Sequence, residues 1–142
     1  MNLGDAESQL PNGLHDADLL RFEVDYEKRT AEFEFNAWIG DLDSTDHAER
    51  EKHQHVKLLI RGLHFLIFEK PDPNYIFGTA APGVPEVGGF SAWNGEFAPP
   101  DEIGRLVERM PVSAFYEAAF VSNWNSFIHI GADDAEIKVI DQ

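Results

Sequence analysis

Two stretches of alternating apolar and polar residues give the clearest pattern in the sequence. The first runs from Leu20 to Tyr26 and the second from Ala31 to Ile39, with the charged residues Glu27 to Arg29 between them. Every second residue is apolar and most of the others are charged, which is the period-2 pattern of a strand with one buried face. The pair therefore predicts an antiparallel hairpin with an apolar face towards the core and a charged face towards water.

A third strand is predicted over Val56 to Glu69, with an interruption at Gly62. The alternating apolar positions are Val56, Leu58 and Ile60 before Arg61 and Gly62, and Leu63, Phe65 and Ile67 after them. A bulge at Gly62 would return all six side chains to one face. The alternative is an unbroken strand buried on both faces, because Leu59, Leu66 and Phe68 are also apolar.

The C-terminal part of the chain predicts one helix followed by a strand meander. The helix spans Asp101 to Met110 and carries an apolar stripe formed by Ile103, Leu106, Val107 and Met110, whose spacing matches one face of a helix. Pro111 ends it. The strands that follow are Ala114 to Val121, Ser126 to Ile130 and Glu136 to Ile140, with turns at 122–123 and 131–134.

These elements predict one domain, residues 1–142, of the α+β class and mainly β. Its architecture is an antiparallel curved sheet or meander of about six strands with one amphipathic helix packed on it. Residues 1–12 are polar without a sustained period, and we expect a loose N-terminal arm there. Residues 71–100 are rich in proline and glycine and predict a long loop, which includes a short edge strand at Tyr75 to Phe77.

The composition limits which cellular compartment and which classes of binding partner we expect. The sequence has no cysteine, which excludes disulfides and thiolate chemistry, and it begins without a leader-like apolar segment. We therefore expect a cytoplasmic protein. The formal charge is −15, which repels nucleic acid and anionic membranes. Two interpretations of this charge remain open: it maintains solubility, or it attracts a basic protein partner such as a toxin.

His15 and Asp16 lie between turn residues and the first strand, and they have two interpretations. In the structural one, Asp16 accepts bonds from nearby backbone N–H groups while His15 bonds a carbonyl. In the functional one, the two side chains form part of an acid/base pair or a ligand-binding site, which requires further groups to converge on them.

The aromatic residues of the 71–100 loop are the second candidate for binding. Phe90, Trp93 and Asn94 combine rigid contact area with an amide, a mixture suited to recognition. The alternative is that these side chains fold back over the sheet as a lid. Trp124 follows a predicted hairpin turn, where it could cap the open end of a curved sheet.

The sequence lacks the complete residue sets of several well-known functional sites. The segment beginning at Asp41 resembles a calcium loop, but Asp46 replaces the glycine of the turn and Lys52 the bidentate glutamate. His53 and His55 are only half of a zinc site. Neither a nucleophile elbow nor a phosphate-binding loop is present. We therefore predict no metal, no cofactor and no catalytic residue set.

Short motifs at the two ends of the chain resemble a group of small bacterial proteins. Leu14 to Ala17, which reads Leu-His-Asp-Ala, precedes the alternating hairpin, and Trp124 to Phe127 precedes the closing segment Ile128 to Ile140. This arrangement resembles small uncharacterised bacterial β-rich proteins, some of which look like immunity proteins of toxin systems. The resemblance implies a protein-binding role and carries no functional residue over to this chain.

Three hypotheses about function follow. The first is an acidic protein-binding or immunity-type module without catalysis, which needs only a scaffold and a complementary surface. The alternative is a small-molecule-binding protein or an enzyme with a pocket near His15 and the aromatic loop at 90–97, with His129 as a further candidate group. The third is a homo-oligomer formed through an edge strand.

Overall fold

The fold is an open six-stranded antiparallel sheet with three short helices, seen in a computed structural model that describes residues 1–14, 17–69, 91–93, 101–121 and 126–140. The elements are α1 (Leu3–Glu7), β1 (Asp18–Asp25), β2 (Thr30–Trp38), α2 (His47–Arg50), β3 (His53–Phe68), β4 (Ser91–Trp93), α3 (Asp101–Glu108), β5 (Phe115–Val121) and β6 (Ser126–Val139). The strands lie in the order β1-β2-β3-β6-β5-β4. The predicted α+β, mainly β class is confirmed.

The two longest strands, β3 and β6, bend so that the sheet folds back on itself. Phe33 of β2 is paired with Leu58 of β3, yet its ring lies 6.3 Å from that of Phe68, ten residues further along β3. A straight strand would carry Phe68 roughly 33 Å away from Leu58. The two halves of β3 therefore belong to two facing layers.

Each layer can be read from the strand pairs. The first layer contains β1, β2, residues 53–61 of β3 and residues 134–139 of β6. The second layer contains residues 63–68 of β3, residues 126–132 of β6, and strands β5 and β4. The fully buried apolar residues of both layers form one cluster between them. This enclosure supplies the core of the domain.

The bend lies close to Gly62, where one interpretation of the sequence predicts a bulge, but the strand does not recover its alternation in the way that interpretation requires. Gly62 has a φ of +62°, which glycine adopts at little cost. The pairing of β3 with β6 then shifts by one residue between Leu63 and Phe65. As a result Leu66 and Phe68 pack against the core together with Leu63. The prediction that Phe65 and Ile67 share the core face was wrong.

The burial pattern of the first predicted strand also differs from the one expected. In β2 the alternation is confirmed, because every second residue from Ala31 to Ala37 is fully buried. In β1 a register shift between Leu19 and Arg21 turns Leu20 away from the core, and Leu19 packs there instead. Leu20 and Phe22 are left about half exposed, at 54% and 49%.

The N-terminal segment is not the loose arm that its polar composition predicts. Asn2 caps α1 by accepting a bond from the Asp5 amide at 2.8 Å, and Leu3 and Ala6 are fully buried. Leu10 and Leu14 follow them into the core. The terminal ammonium of Met1 also bonds the Asp134 carboxylate at 2.5 Å. Residues 1–14 therefore close one end of the space between the layers.

Two further expectations about the C-terminal half are corrected. Residues 131–134 were predicted as a turn between two strands, but they lie inside the single 14-residue strand β6, at its bend. Within the predicted loop 71–100, residues 91–93 form β4, which pairs with β5. The predicted edge strand at Tyr75 to Phe77 and the turn at 122–123 lie outside the described residues.

The predicted helix is present as α3. Ile103 is buried, while Leu106, Val107 and Met110 are half-buried and Arg105 is exposed. Met110 reaches the outer face of the second layer, where its sulfur lies against Gly131 of β6. Among the described residues, no helix combines the length and apolar character needed to cross a bilayer.

A matched pair of glycine substitutions tests the role of the bend. A Cβ at Gly62 would overlap the Asp133 carboxylate, and the new residue would have to keep a positive φ. A Cβ at Gly104 in α3 would meet nothing within 4 Å. We expect Gly62→Ala to lower the free energy of unfolding by about 1–3 kcal/mol. Gly104→Ala should instead be neutral or raise it, by up to about 1 kcal/mol. Urea unfolding of both variants would measure this, and equal stabilities would contradict it.

Candidate binding groove beside the first strand

The fold leaves a groove open between β1 and the second half of β3. These two segments are separated along the sheet by β2 and the first half of β3, and the bend brings them face to face. The rings of Phe22 and Phe68 stack across the gap with their centroids 4.5 Å apart. The groove is therefore a product of the bend and could not exist in a flat sheet.

Two adjoining hollows make up this groove, and both are lined by Phe22 and Phe68. One has a volume of about 370 Å³ and the other about 350 Å³, at the lower end of the range for small-ligand pockets. Apolar side chains dominate the lining. In the larger hollow they are Phe22, Val24, Leu63, Phe65, Leu66 and Phe68, and in the smaller one Leu19, Leu20, Phe22 and Phe68.

A cluster of polar side chains closes the groove at the bend. The Arg29 guanidinium donates to the Leu63 carbonyl at 3.3 and 3.2 Å and to His64 Nδ1 at 3.2 Å. Because arginine can only donate, Nδ1 must be the acceptor, and His64 Nε2 donates to Asp133 Oδ1 at 2.7 Å. These bonds tie the β1–β2 turn to the bend in both long strands.

Acidic side chains surround the outer rim of β1. Glu23 and Asp25 of β1 and Glu32 of β2 line a shallow hollow on the solvent face of the first layer, where Lys28 is the one basic lining residue. Lys57 forms an ion pair with Glu32 at 3.6 Å. The Glu23 side chain remains 68% exposed. The groove and the Glu23 carboxylate thus lie on opposite faces of β1, while Asp25 at the end of the strand borders both hollows.

A second polar arrangement lies on the outer face of the second layer. The Tyr116 hydroxyl is 2.9 Å from His129 Nδ1, and His129 Nε2 is 3.1 Å from Glu69 Oε2. His129 lies between Ile128 and Ile130 in β6, and it is only 2% exposed. Burial, with a smaller contribution from the Glu69 charge, raises the pKa of Tyr116 to about 12.

This chain of bonds is better suited to holding strands together than to catalysis. A general base needs a nitrogen that can reach a substrate proton, and His129 is only 2% exposed. A phenol with a raised pKa stays protonated at neutral pH and is a poor nucleophile. The three residues instead link the end of β3 to β5 and β6.

None of the predicted site residues has a side chain that the structure describes. His15, Asp16, Phe90, Asn94 and Trp124 lie outside the described residues. Trp93 is the last residue of β4, and the structure describes only its backbone. Within the part of the chain that is described, no group of three or more His, Asp or Glu side chains is arranged to hold a metal ion.

Sequence reasoning missed the groove because its walls come from distant segments. Phe22 was assigned to the buried face of β1, and Phe68 was noted only as an additional apolar residue. Their pairing depends on the bend. The available signal was the run of four apolar residues Phe65 to Phe68, because a strand with one buried face needs an apolar residue only at every second position.

Titration of Tyr116 provides a test of the buried chain. We expect one tyrosine to ionise near pH 12 in a spectrophotometric titration, and Tyr116→Phe should remove that transition. Glu69→Gln should move it to lower pH, because a negative charge nearby disfavours the phenolate. Since the unfolded phenol ionises near 10, Tyr116 should lower stability progressively as the pH rises from about 10 towards 12. An unchanged transition in Glu69→Gln would contradict the assigned bonds.

Comparison of the chain with family models, with curated proteins and with solved structures finds no match. The function must therefore be argued from the groove and the charge of the protein.

Proposed function

We propose that this protein is an acidic binding module without catalysis that captures a basic partner protein, in the manner of an immunity protein with its toxin. The observation that carries the proposal is the half-exposed pair Leu20 and Phe22 on an edge strand, beside an apolar groove, in a chain of net charge −15. We place the encounter in the cytoplasm, the compartment that the sequence predicts.

The charge favours a basic partner over other classes. A strongly negative field accelerates association with a cationic protein and repels phosphate backbones. Glu23 and Asp25 lie on the same strand as the apolar residues of the groove, but Arg21 of that strand is 3.8 Å from Glu23 and 3.4 Å from Glu34. The attraction therefore comes from the net charge of the whole chain. A partner approaching this edge is attracted first and then meets apolar surface.

The apolar residues provide an anchoring point. Interfaces gain most of their binding free energy from a few aromatic or large side chains in a well-packed centre. Phe22 already stacks on Phe68, so its ring is held in place and little side-chain entropy would be lost on binding. The open hollow beside it can accept an apolar side chain of the partner.

Binding to products of neighbouring genes tests the proposal. We expect one basic protein to bind, at least tenfold more weakly at 500 mM than at 50 mM salt, because surface attraction is screened. Phe22→Ser should weaken binding by roughly tenfold or more, since loss of a central anchor removes above about 1–2 kcal/mol.

The matched control is Leu42→Ser, which also removes an exposed apolar side chain. Leu42 is 63% exposed and does not line the groove. Isothermal titration calorimetry gives the affinities, and thermal unfolding of each variant checks that it is folded. Failure of every basic neighbour to bind, or equal affinities for Phe22→Ser and the unsubstituted protein, would reject the proposal.

A second candidate is storage or transport of a small apolar molecule in the same groove. The volume of about 370 Å³ and the lining of the larger hollow favour it. This pocket lies at the bend, whereas the sequence placed one near His15 and the 90–97 loop. Native mass spectrometry of the purified protein would detect a retained molecule. Retention that Phe22→Ser abolishes would favour this function over the first.

A further inference from the structure

We propose that the partner binds by adding an extended segment, with alternating apolar and basic residues, as a new strand on the edge of β1. The inference rests on the proposed function and specifies how the same site is used. The occupant is a segment of a basic partner protein rather than a second copy of this chain.

The two edges of the sheet differ in how well they are protected. β4, at one end, has only three residues, and a short edge strand offers little to pair with. β1, at the other end, has eight residues and pairs only with β2 among the described strands. The backbone N–H and C=O groups of residues 21–25 that point away from β2 form a template for another strand.

The two ends of β1 are protected in different ways. The register shift at Leu20 distorts the strand there, which discourages pairing. From Arg21 to Asp25 the register with β2 is regular, and this segment contains neither proline nor lysine. Its protection comes from the charges of Arg21, Glu23 and Asp25, which discourage a strand of unmatched charge. A five-residue stretch of regular edge is therefore left unpaired by the described strands.

The side chains of this stretch specify what the added strand should carry. Phe22 and Val24 line the groove, and Glu23 lines the acidic hollow on the opposite face. Asp25, at the end of the strand, borders both. An added strand would place its own residues alternately beside these two surfaces. Apolar residues should face the groove, and lysine or arginine should face the carboxylates.

The overall charge argues against a second copy as the occupant. Two chains of charge −15 repel each other as they approach. An antiparallel copy centred on residue 23 would place the two Glu23 carboxylates opposite each other, with Arg21 opposite Asp25 on either side, so at this edge the long-range repulsion decides. A basic segment gains attraction from the same carboxylates. The backbone of this edge could pair with a second copy or with a different protein, and the charge favours the different, basic protein.

The test uses a synthetic eight-residue peptide that alternates valine and lysine, with a block peptide of the same composition as the control. We expect the alternating peptide to bind and to slow hydrogen exchange of amides within 21–25, while the block peptide binds at least fivefold more weakly. Glu23→Gln should weaken binding by about two- to fivefold at low salt. Glu51→Gln, which removes an exposed carboxylate after α2, should leave it unchanged.

Two N-methylated forms of the alternating peptide separate strand addition from simple attraction. One form carries methyl groups on every amide of one parity, and the other on every amide of the opposite parity. Only the amides facing β1 are needed for pairing, so one form should lose binding by at least tenfold and the other should retain it. Equal binding of both forms, or protection of amides elsewhere, would overturn strand addition.

Sedimentation of the protein alone completes the experiment. A dimer with residues 21–25 already protected from exchange would show a second copy on the edge and would overturn the proposal. If both methylated forms bind equally while a natural basic partner still requires Phe22, strand addition fails but the proposed function stands. If no basic partner depends on Phe22, the proposed function itself fails.

Discussion

The contact between Phe33 and Phe68 across the folded sheet determines most of this structure. Neither residue could reach the other without the bend in β3, and β6 must bend at the same place because the two strands remain paired on both sides of it. Gly62 permits the bend, and Asp133, His64 and Arg29 hold it through hydrogen bonds. A single sheet thereby supplies both layers of its own core.

Folding one sheet in two leaves two ends that must be closed. At one end α1 closes the space, with Leu3 and Ala6 in the core and the Met1 carbonyl accepting a bond from the Ala135 amide at 2.8 Å. At the other end β1 approaches the second half of β3 without reaching hydrogen-bonding distance of it as a paired strand. The same geometry therefore builds the core and leaves the groove.

The sequence predicted those features that depend on local periodicity. The alternation of Ala31 to Ala37, the apolar stripe of α3 and an irregularity near Gly62 all express contacts between a residue and its near neighbours in the chain. The spacing of Leu3, Ala6, Leu10 and Leu14 also has helical character, and it was overlooked because polar residues surround it. The N-terminal helix was thus predictable in principle.

Features that depend on two distant segments could not be predicted. The run 131–134 has the composition of a turn, and only its pairing with β3 makes it the bend of one strand instead. Likewise, Phe22 has the correct parity for burial, but it is 49% exposed, because Phe68 of the opposite layer covers only part of its ring. Periodicity gives the face of the strand on which a side chain lies. Whether that side chain is buried depends on which residues the rest of the fold packs against this face.

Negative charge and an open edge have opposite effects on self-association, and their combination explains how this surface is tolerated. An uncovered strand with half-exposed Leu20 and Phe22 would ordinarily favour pairing between identical chains. A charge of −15 on each copy opposes that pairing at long range, before the edges can meet. The same charge lowers the barrier for a cationic chain. An edge that would be a liability in a neutral protein is in this one selective for the sign of its partner's charge.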